Sequence, residues 1–227
     1  MVTAGANQAY TNIVITLLDA DDGAVLFAPY YFNHLMAIQM TGGSKNIVIG
    51  DVQKDHLPDV DWLEARLADS RGCRIKMVTV VNPCNPTGVM IPAALLGRLR
   101  AACERHGVWL VVDNTYENFT YEEEGCPPHS VVTGSHVVNV FSFSKAYGMM
   151  GWRMGYLAYP RSLHDELMKV QDTIAICPSN ASQSAALAAL KGGGRPWVRE
   201  KVKGLAENRQ VVRGALEAAV GAANVIG

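Results

Sequence analysis

The chain has 227 residues, of which 49% are hydrophobic and 18% charged, and a formal net charge of −1. That balance suits a globular α/β core and excludes the basic footprint of a nucleic-acid or membrane-surface binder. No apolar run reaches the roughly 18 residues that a bilayer span needs, so no membrane partner is expected.

Five cysteines (Cys73, Cys84, Cys103, Cys126, Cys177) are scattered without a C-x-x-C pair. They argue for reduced thiols in a cytoplasmic compartment rather than a disulfide framework or a zinc site. Met1 to Gly5 runs almost directly into a helical pattern, and no targeting segment is expected there.

Apolar residues recur at helical spacing from Ala9 to Leu18, and Asp19 to Gly23 punctuates the end of that run. Val25 to Phe27 reads as a buried strand stopped by Pro29. Phe32 to Met40 is a helix ending at Gly42-Gly43, and Asn46 to Ile49 is the next strand. Asp59 can cap a helix reaching Ala68.

The β-branched run Arg74 to Val81 is a strand that enters the turn-rich Asn82-Pro83-Cys84-Asn85-Pro86-Thr87-Gly88. Pro92 opens a helix to His106, and Val108 to Val112 forms a strand ending at Asp113. Val137 to Phe141 and Tyr156 to Tyr159 are further strands. Helical patterns follow at Ser162 to Ile174, Asn180 to Leu190 and Pro196 to Val220. Gly192-Gly193-Gly194 is either a joint or a helix break. Ala222 to Gly227 reads as a helix running into an unfinished strand, and with both ends looking cut the chain is expected to be a fragment of a longer protein.

Continuous apolar strands alternating with amphipathic helices imply an α/β fold with a mainly parallel sheet covered on both faces. In such sheets ligands bind beyond the carboxyl ends of the strands. Asn85, Asp113, Tyr116 and Lys145 fall there, and Gly5-Ala6-Asn7 opens a helix whose free N–H groups suit a phosphate. Lys145 follows Ser142 and Ser144 after a strand-like run. Burial there would disfavour the ammonium and expose a nucleophilic amine; a surface lysine in a Gly-rich loop is the plainer alternative.

Five motifs carry a resemblance in register over Met1 to about Ile176. They are Ala4-Gly5-Ala6-Asn7-Gln8-Ala9, Pro29-Tyr30-Tyr31, Asn82 to Gly88, Asp113-Asn114-Thr115-Tyr116, and the segment Ser142 to Gly155. The chain resembles the large domain of class I/II aminotransferases, pyridoxal-phosphate (PLP) enzymes of fold type I. Met1 to Tyr10, Asp113 to Phe119 and Val138 to Gly151 are similar in wording to plant and algal aminotransferases acting on methionine and aromatic amino acids.

The resemblance implies a three-layer aspartate-aminotransferase-like large domain, incomplete at both ends. Residues 1–191 would bind PLP and residues 192–227 would form a helical linker toward a small domain. Lys145 would hold PLP as a Schiff base and then shuttle the proton between substrate and cofactor. Asp113 would pair with the pyridine nitrogen, and Tyr116 and Asn85 would hydrogen-bond the ring hydroxyl. Ser142, Arg153 and the amides of Ala6 and Asn7 would hold the phosphate, with Tyr31 stacked on the ring. Ser144 would support the turn.

The substrates would be an amino acid and a 2-oxo acid, and the parent protein a homodimer. A PLP-dependent lyase on the same scaffold and a cofactor-binding fragment without turnover are the competing readings. The substrate-carboxylate arginine of the family has no match in this chain, so the 227 residues are expected to bind PLP yet turn over amino acids poorly. The six histidines show no metal spacing, and solvated or capping roles are expected of them. Glu122 to Glu124 reads as an exposed turn, and Met149-Met150 as packing beneath the lysine loop.

Overall fold

The computed structural model describes residues 1–41, 43–69, 71–121 and 127–225. Its first half contains β1 (Val2–Thr3), α1 (Gly5–Leu17), β2 (Asp22–Phe27), α2 (Phe32–Met40), β3 (Ile47–Gly50), α3 (Val60–Ala68), β4 (Arg74–Val81) and α4 (Ala93–Arg105). The second half contains β5 (Trp109–Asp113), β6 (Val137–Ser142), β7 (Gly155–Ala158), α5 (His164–Ile174), α6 (Asn180–Gly192) and α7 (Gly194–Val220).

The strands form one sheet in the order β1-β7-β6-β5-β4-β2-β3. The run from β3 to β6 is parallel, whereas β7 pairs antiparallel with β6 and β1 antiparallel with β7. Parallel strands buried on both faces cannot alternate polar and apolar residues. Accordingly β2 is buried throughout, and β4 from Met77 to Val81.

Two cores lie on opposite faces. Ile13, Val14 and Leu17 of α1 pack with Ala37 and Ile38 of α2 and Leu167 of α5 on one face. Leu63 of α3 and Leu96, Leu99 and Ala102 of α4 cover the other. The three layers are therefore helix, sheet, helix. The Asp59 carboxylate accepts the Trp62 amide at 3.0 Å and caps α3 as its sequence position predicts.

Several boundaries differ from expectation. The first helix runs from Gly5, as the Gly5-Ala6-Asn7 opening predicts, and stops at Leu17, one residue before the end of the apolar run. β1 escapes a pattern-based reading because two residues carry no period. The glycine triplet is a helix break: α6 ends at Gly192 and α7 starts at Gly194. Ala222–Asn224 is a 3-10 turn, and the end of the expected strand, Ile226 and Gly227, lies outside the described residues. Gly42, the acidic run 122–124 and Cys126 lie outside the described residues. No helix among the described residues is long and apolar enough to cross a membrane.

Candidate active site

Three neighbouring parallel strands, β4, β5 and β6, end on the same edge of the sheet, and the loops that follow them carry the polar side chains. A cavity of about 160 Å³ opens there. Asn85 follows β4, Asp113 ends β5 with Tyr116 beyond it, and Ser142 ends β6 with Lys145 beyond it; all line the cavity. Ala6 and Asn7 of α1, Tyr31 before α2, and Arg153 before β7 complete it. All nine residues expected from the sequence thus face one space.

One end of the cavity is anionic. Asp113 is buried, and its Oδ1 accepts the Thr115 amide at 2.9 Å and the Thr115 hydroxyl at 2.6 Å. Its Oδ2 lies 3.1 Å from His34 Nε2; a carboxylate only accepts, so the imidazole donates. Burial acts to raise the Asp113 pKa, but the His34 bond and charge and the two Thr115 bonds outweigh it. The carboxyl is held below its ordinary value.

The other end is cationic. α1 offers the free amides of its first turn, with Ala6 and Asn7 at the cavity wall. Gly5 has φ +80, and a Cβ there would collide with the Arg153 guanidinium, so the arginine lies directly over the helix start. Arg153 has φ 52, the left-handed region that a side chain rarely adopts, and it donates from Nη1 to the Met150 carbonyl at 2.9 Å. The Ser142 hydroxyl accepts the Ser144 amide at 3.1 Å, closing the turn that leads to Lys145. Ser144 supports the turn with its backbone.

An amine and two phenols also line the cavity. Lys145 is exposed to the cavity, not desolvated as its place after an apolar strand suggested. It lies on the turn beyond the strand, and the apolar packing falls to its neighbours. Ala146 and Tyr147 pack with Val198 and Val202 of α7, so α7 backs the lysine turn. Tyr116 is half-buried, and burial, then Tyr31 and the charge of Asp113, raise its pKa; the phenol stays a hydrogen-bond donor. Tyr31 precedes α2, its ring 5.3 Å from His34 in an edge contact.

His34 and Thr115 are the site residues that sequence reasoning missed. His34 is 3% exposed, which corrects the solvated role expected of it. The signal was available: His34, Ala37 and Ile38 form the buried i, i+3, i+4 face of α2. The two methionines also divide. Met149 packs with Phe143, Met154 and Ala186, whereas Met150 is exposed and lines the cavity.

The aminotransferase class I and II profile matches residues 1–227. The chain belongs to that family. Among curated relatives of this aminotransferase-family chain, aromatic aminotransferase ISS1 of Arabidopsis thaliana is 54% identical over 221 residues, 96% of this chain and 55% of the relative. An aspartate aminotransferase of Thermotoga maritima is 30% identical over 192 residues, 84% of this chain and 50% of the relative.

Among solved structures, aspartate aminotransferase from Thermus thermophilus with maleate superposes with a TM-score of 0.86 at 26% identity, covering 97% of this chain and 57% of that one. An aromatic aminotransferase from Pyrococcus horikoshii OT3 gives 0.82 at 26% identity, covering 96% and 56%. The fold is therefore aspartate-aminotransferase-like. The chain spans about half the length of the curated relatives it matches.

Proposed function

We propose that this chain carries the cofactor-binding part of a PLP-dependent aminotransferase, which moves an amino group from an amino acid to a 2-oxo acid. The observation that carries this reading is the set of groups lining one cavity: Arg153 over the α1 N-terminus, buried Asp113 held below its ordinary pKa, and the Lys145 amine. A group with a phosphate at one end, a basic ring nitrogen at the other and an aldehyde beside the ring fits that donor set. PLP has these features, and when bound it supplies an electron sink for bonds at the substrate α-carbon.

Each residue then has a task. The Arg153 fork and the Ser142 hydroxyl bind phosphate oxygens beside the amides of Ala6 and Asn7. Asp113 keeps a proton on the ring nitrogen, because a buried carboxylate and a buried cation stabilise each other. Tyr116 and Asn85 orient the ring through its hydroxyl, and Tyr31 covers its face. The Lys145 amine holds the cofactor, and once released it moves a proton at the substrate α-carbon.

Residues 1–191 would form the cofactor-binding unit, with residues 192–227 a helical extension from it. Aromatic amino acids are the proposed donors, on the strength of the 54% identity to the Arabidopsis aromatic enzyme. The parent enzyme would act as a homodimer in the cytoplasm.

An absorbance spectrum with PLP tests this reading. A visible band in the wild-type chain and none in Lys145→Ala supports Lys145 as the holding amine; bands in both overturn it. With the parent enzyme, an aromatic amino acid should yield its 2-oxo acid and leave the cofactor in the amino form. Side-chain elimination without that product would indicate a lyase instead.

A further inference from the structure

α1 serves the cationic end of the cavity with its first turn, and the same helix reaches the anionic end one and a half turns later. Tyr10 lies five residues after Gly5, about 7.5 Å along the axis at 1.5 Å per residue. It is 2% exposed, and its ring stacks on His34 with centroids 4.1 Å apart and planes 30° apart. Its hydroxyl meets the Thr79 hydroxyl of β4 at 2.9 Å. Burial first, moderated by that bond, pushes the Tyr10 pKa upward, so the group is a protonated phenol throughout the working range.

His34 has few other restraints. Its Nε2 faces Asp113, whereas Nδ1 is buried with no hydrogen-bond partner among the described residues. No second polar contact therefore fixes the angle of the ring. Aromatic contacts must do so, and Tyr10 makes the closer one: 4.1 Å between centroids, against 5.3 Å for the edge contact of Tyr31. A ring free to rock would misalign its N–H from Asp113 Oδ2, and a buried carboxylate is sensitive to the loss of one donor.

We propose that Tyr10 is a positioning residue for the Asp113 carboxylate, acting through the His34 ring that it stacks on and pinned by its bond to Thr79. Part of the consequence rests on the PLP reading above, because Asp113 is assigned there to the ring nitrogen. The arrangement at His34 does not depend on it.

The test uses the whole ¹⁵N-labelled chain, first without cofactor. Solvent exchange of the His34 Nε2 proton is measured by NMR in wild type, Tyr10→Phe, Thr79→Val and Tyr10→Leu, and normalised to the β5 amides of Val111 and Val112. Tyr10→Phe and Thr79→Val keep the stack and lose one hydrogen bond, so exchange should quicken about five-fold. Tyr10→Leu loses the stack and should quicken it by more than ten-fold.

PLP affinity should fall in the same order. Equal normalised exchange in wild type, Tyr10→Phe and Thr79→Val overturns the proposal even if the melting temperature drops, since a packing role alone leaves that proton untouched. If Tyr10→Leu does not fold, the other two variants decide. Absence of PLP binding by wild type would defeat the cofactor reading, while the exchange measurement would still judge Tyr10.

Discussion

Gly155 of β7 lies directly against the backbone that opens α1. A Cβ at Gly155 would stand 2.7 Å from the Gly5 carbonyl carbon and 2.8 Å from the Ala6 amide nitrogen. The same glycine pairs with Ser142 on one side and Thr3 on the other. Two parts of the cationic end, the α1 start and Ser142, therefore meet β1 at one residue without a side chain. Gly155→Ala must push backbone rather than a flexible side chain, at a cost of about 1–3 kcal/mol. The melting temperature should fall, and PLP affinity should drop by about ten-fold or more. Unchanged affinity in a titration would show that the cradle has slack.

Arg153 gives a prediction in which stability and binding part company. Its φ of 52 costs about 1–2 kcal/mol for a residue with a Cβ, and glycine has no such penalty. Arg153→Gly removes that strain, and with it the exposed bond to the Met150 carbonyl. The melting temperature should hold or rise slightly. Affinity for PLP should fall about 10- to 100-fold, as expected for loss of a charge-assisted fork. Pyridoxal without its phosphate should bind both forms alike. A clear drop in melting temperature would mean that the arginine serves the fold.

Much of this arrangement was legible because burial on both faces writes continuous apolar runs. β4 and α2 match their expected spans, Arg74–Val81 and Phe32–Met40. The polar residues at strand ends stood out against those runs. What was hidden depends on tertiary contact. The antiparallel direction of β7 follows from the return path after Lys145, and no local pattern encodes it. The exposure of Lys145 follows from a turn that carries it off the strand, with Ala146 taking the buried place. His34 looked like any histidine until α2 set its buried face against Asp113.

Asp22 should impose acid sensitivity on the edge of the sheet. Its carboxylate is 5% exposed and meets Arg74 Nη2 at 2.8 Å and Lys76 Nζ at 3.1 Å, and it accepts the Asp19 amide at 3.0 Å. Burial raises its pKa, but the Asp19, Arg74 and Lys76 bonds prevail and the pKa is lowered. A lowered acid contributes stability above its unfolded pKa of about 3.9, and loses it as pH falls through the folded value. Asp22→Asn should cost about 1–3 kcal/mol near neutrality. The gap between the two melting curves should close below about pH 4; a gap of constant size would show that charge is not its source.

Glu117 is the opposite case, and it sits where the Tyr116 loop meets α7. Its side chain is 15% exposed, and its only ion-pair partner among the described residues is Arg195, 3.5 Å away and 69% exposed. Burial raises the Glu117 pKa and Arg195 recovers part of the shift. A raised acid stabilises the fold below its unfolded pKa of about 4.3, and that contribution is lost as pH rises through the folded value. At neutral pH the buried charge is therefore a net cost, because a long contact to a solvated arginine offsets little of it. Glu117→Gln should raise stability near neutrality by under about 1 kcal/mol, with the gain vanishing below about pH 4. Arg195→Ala should destabilise the wild type and do nothing in the Glu117→Gln background, as a double-mutant cycle would read directly. Additive effects would mean that Arg195 steadies α7 through its own packing, leaving Glu117 unpaired in energetic terms despite the geometry.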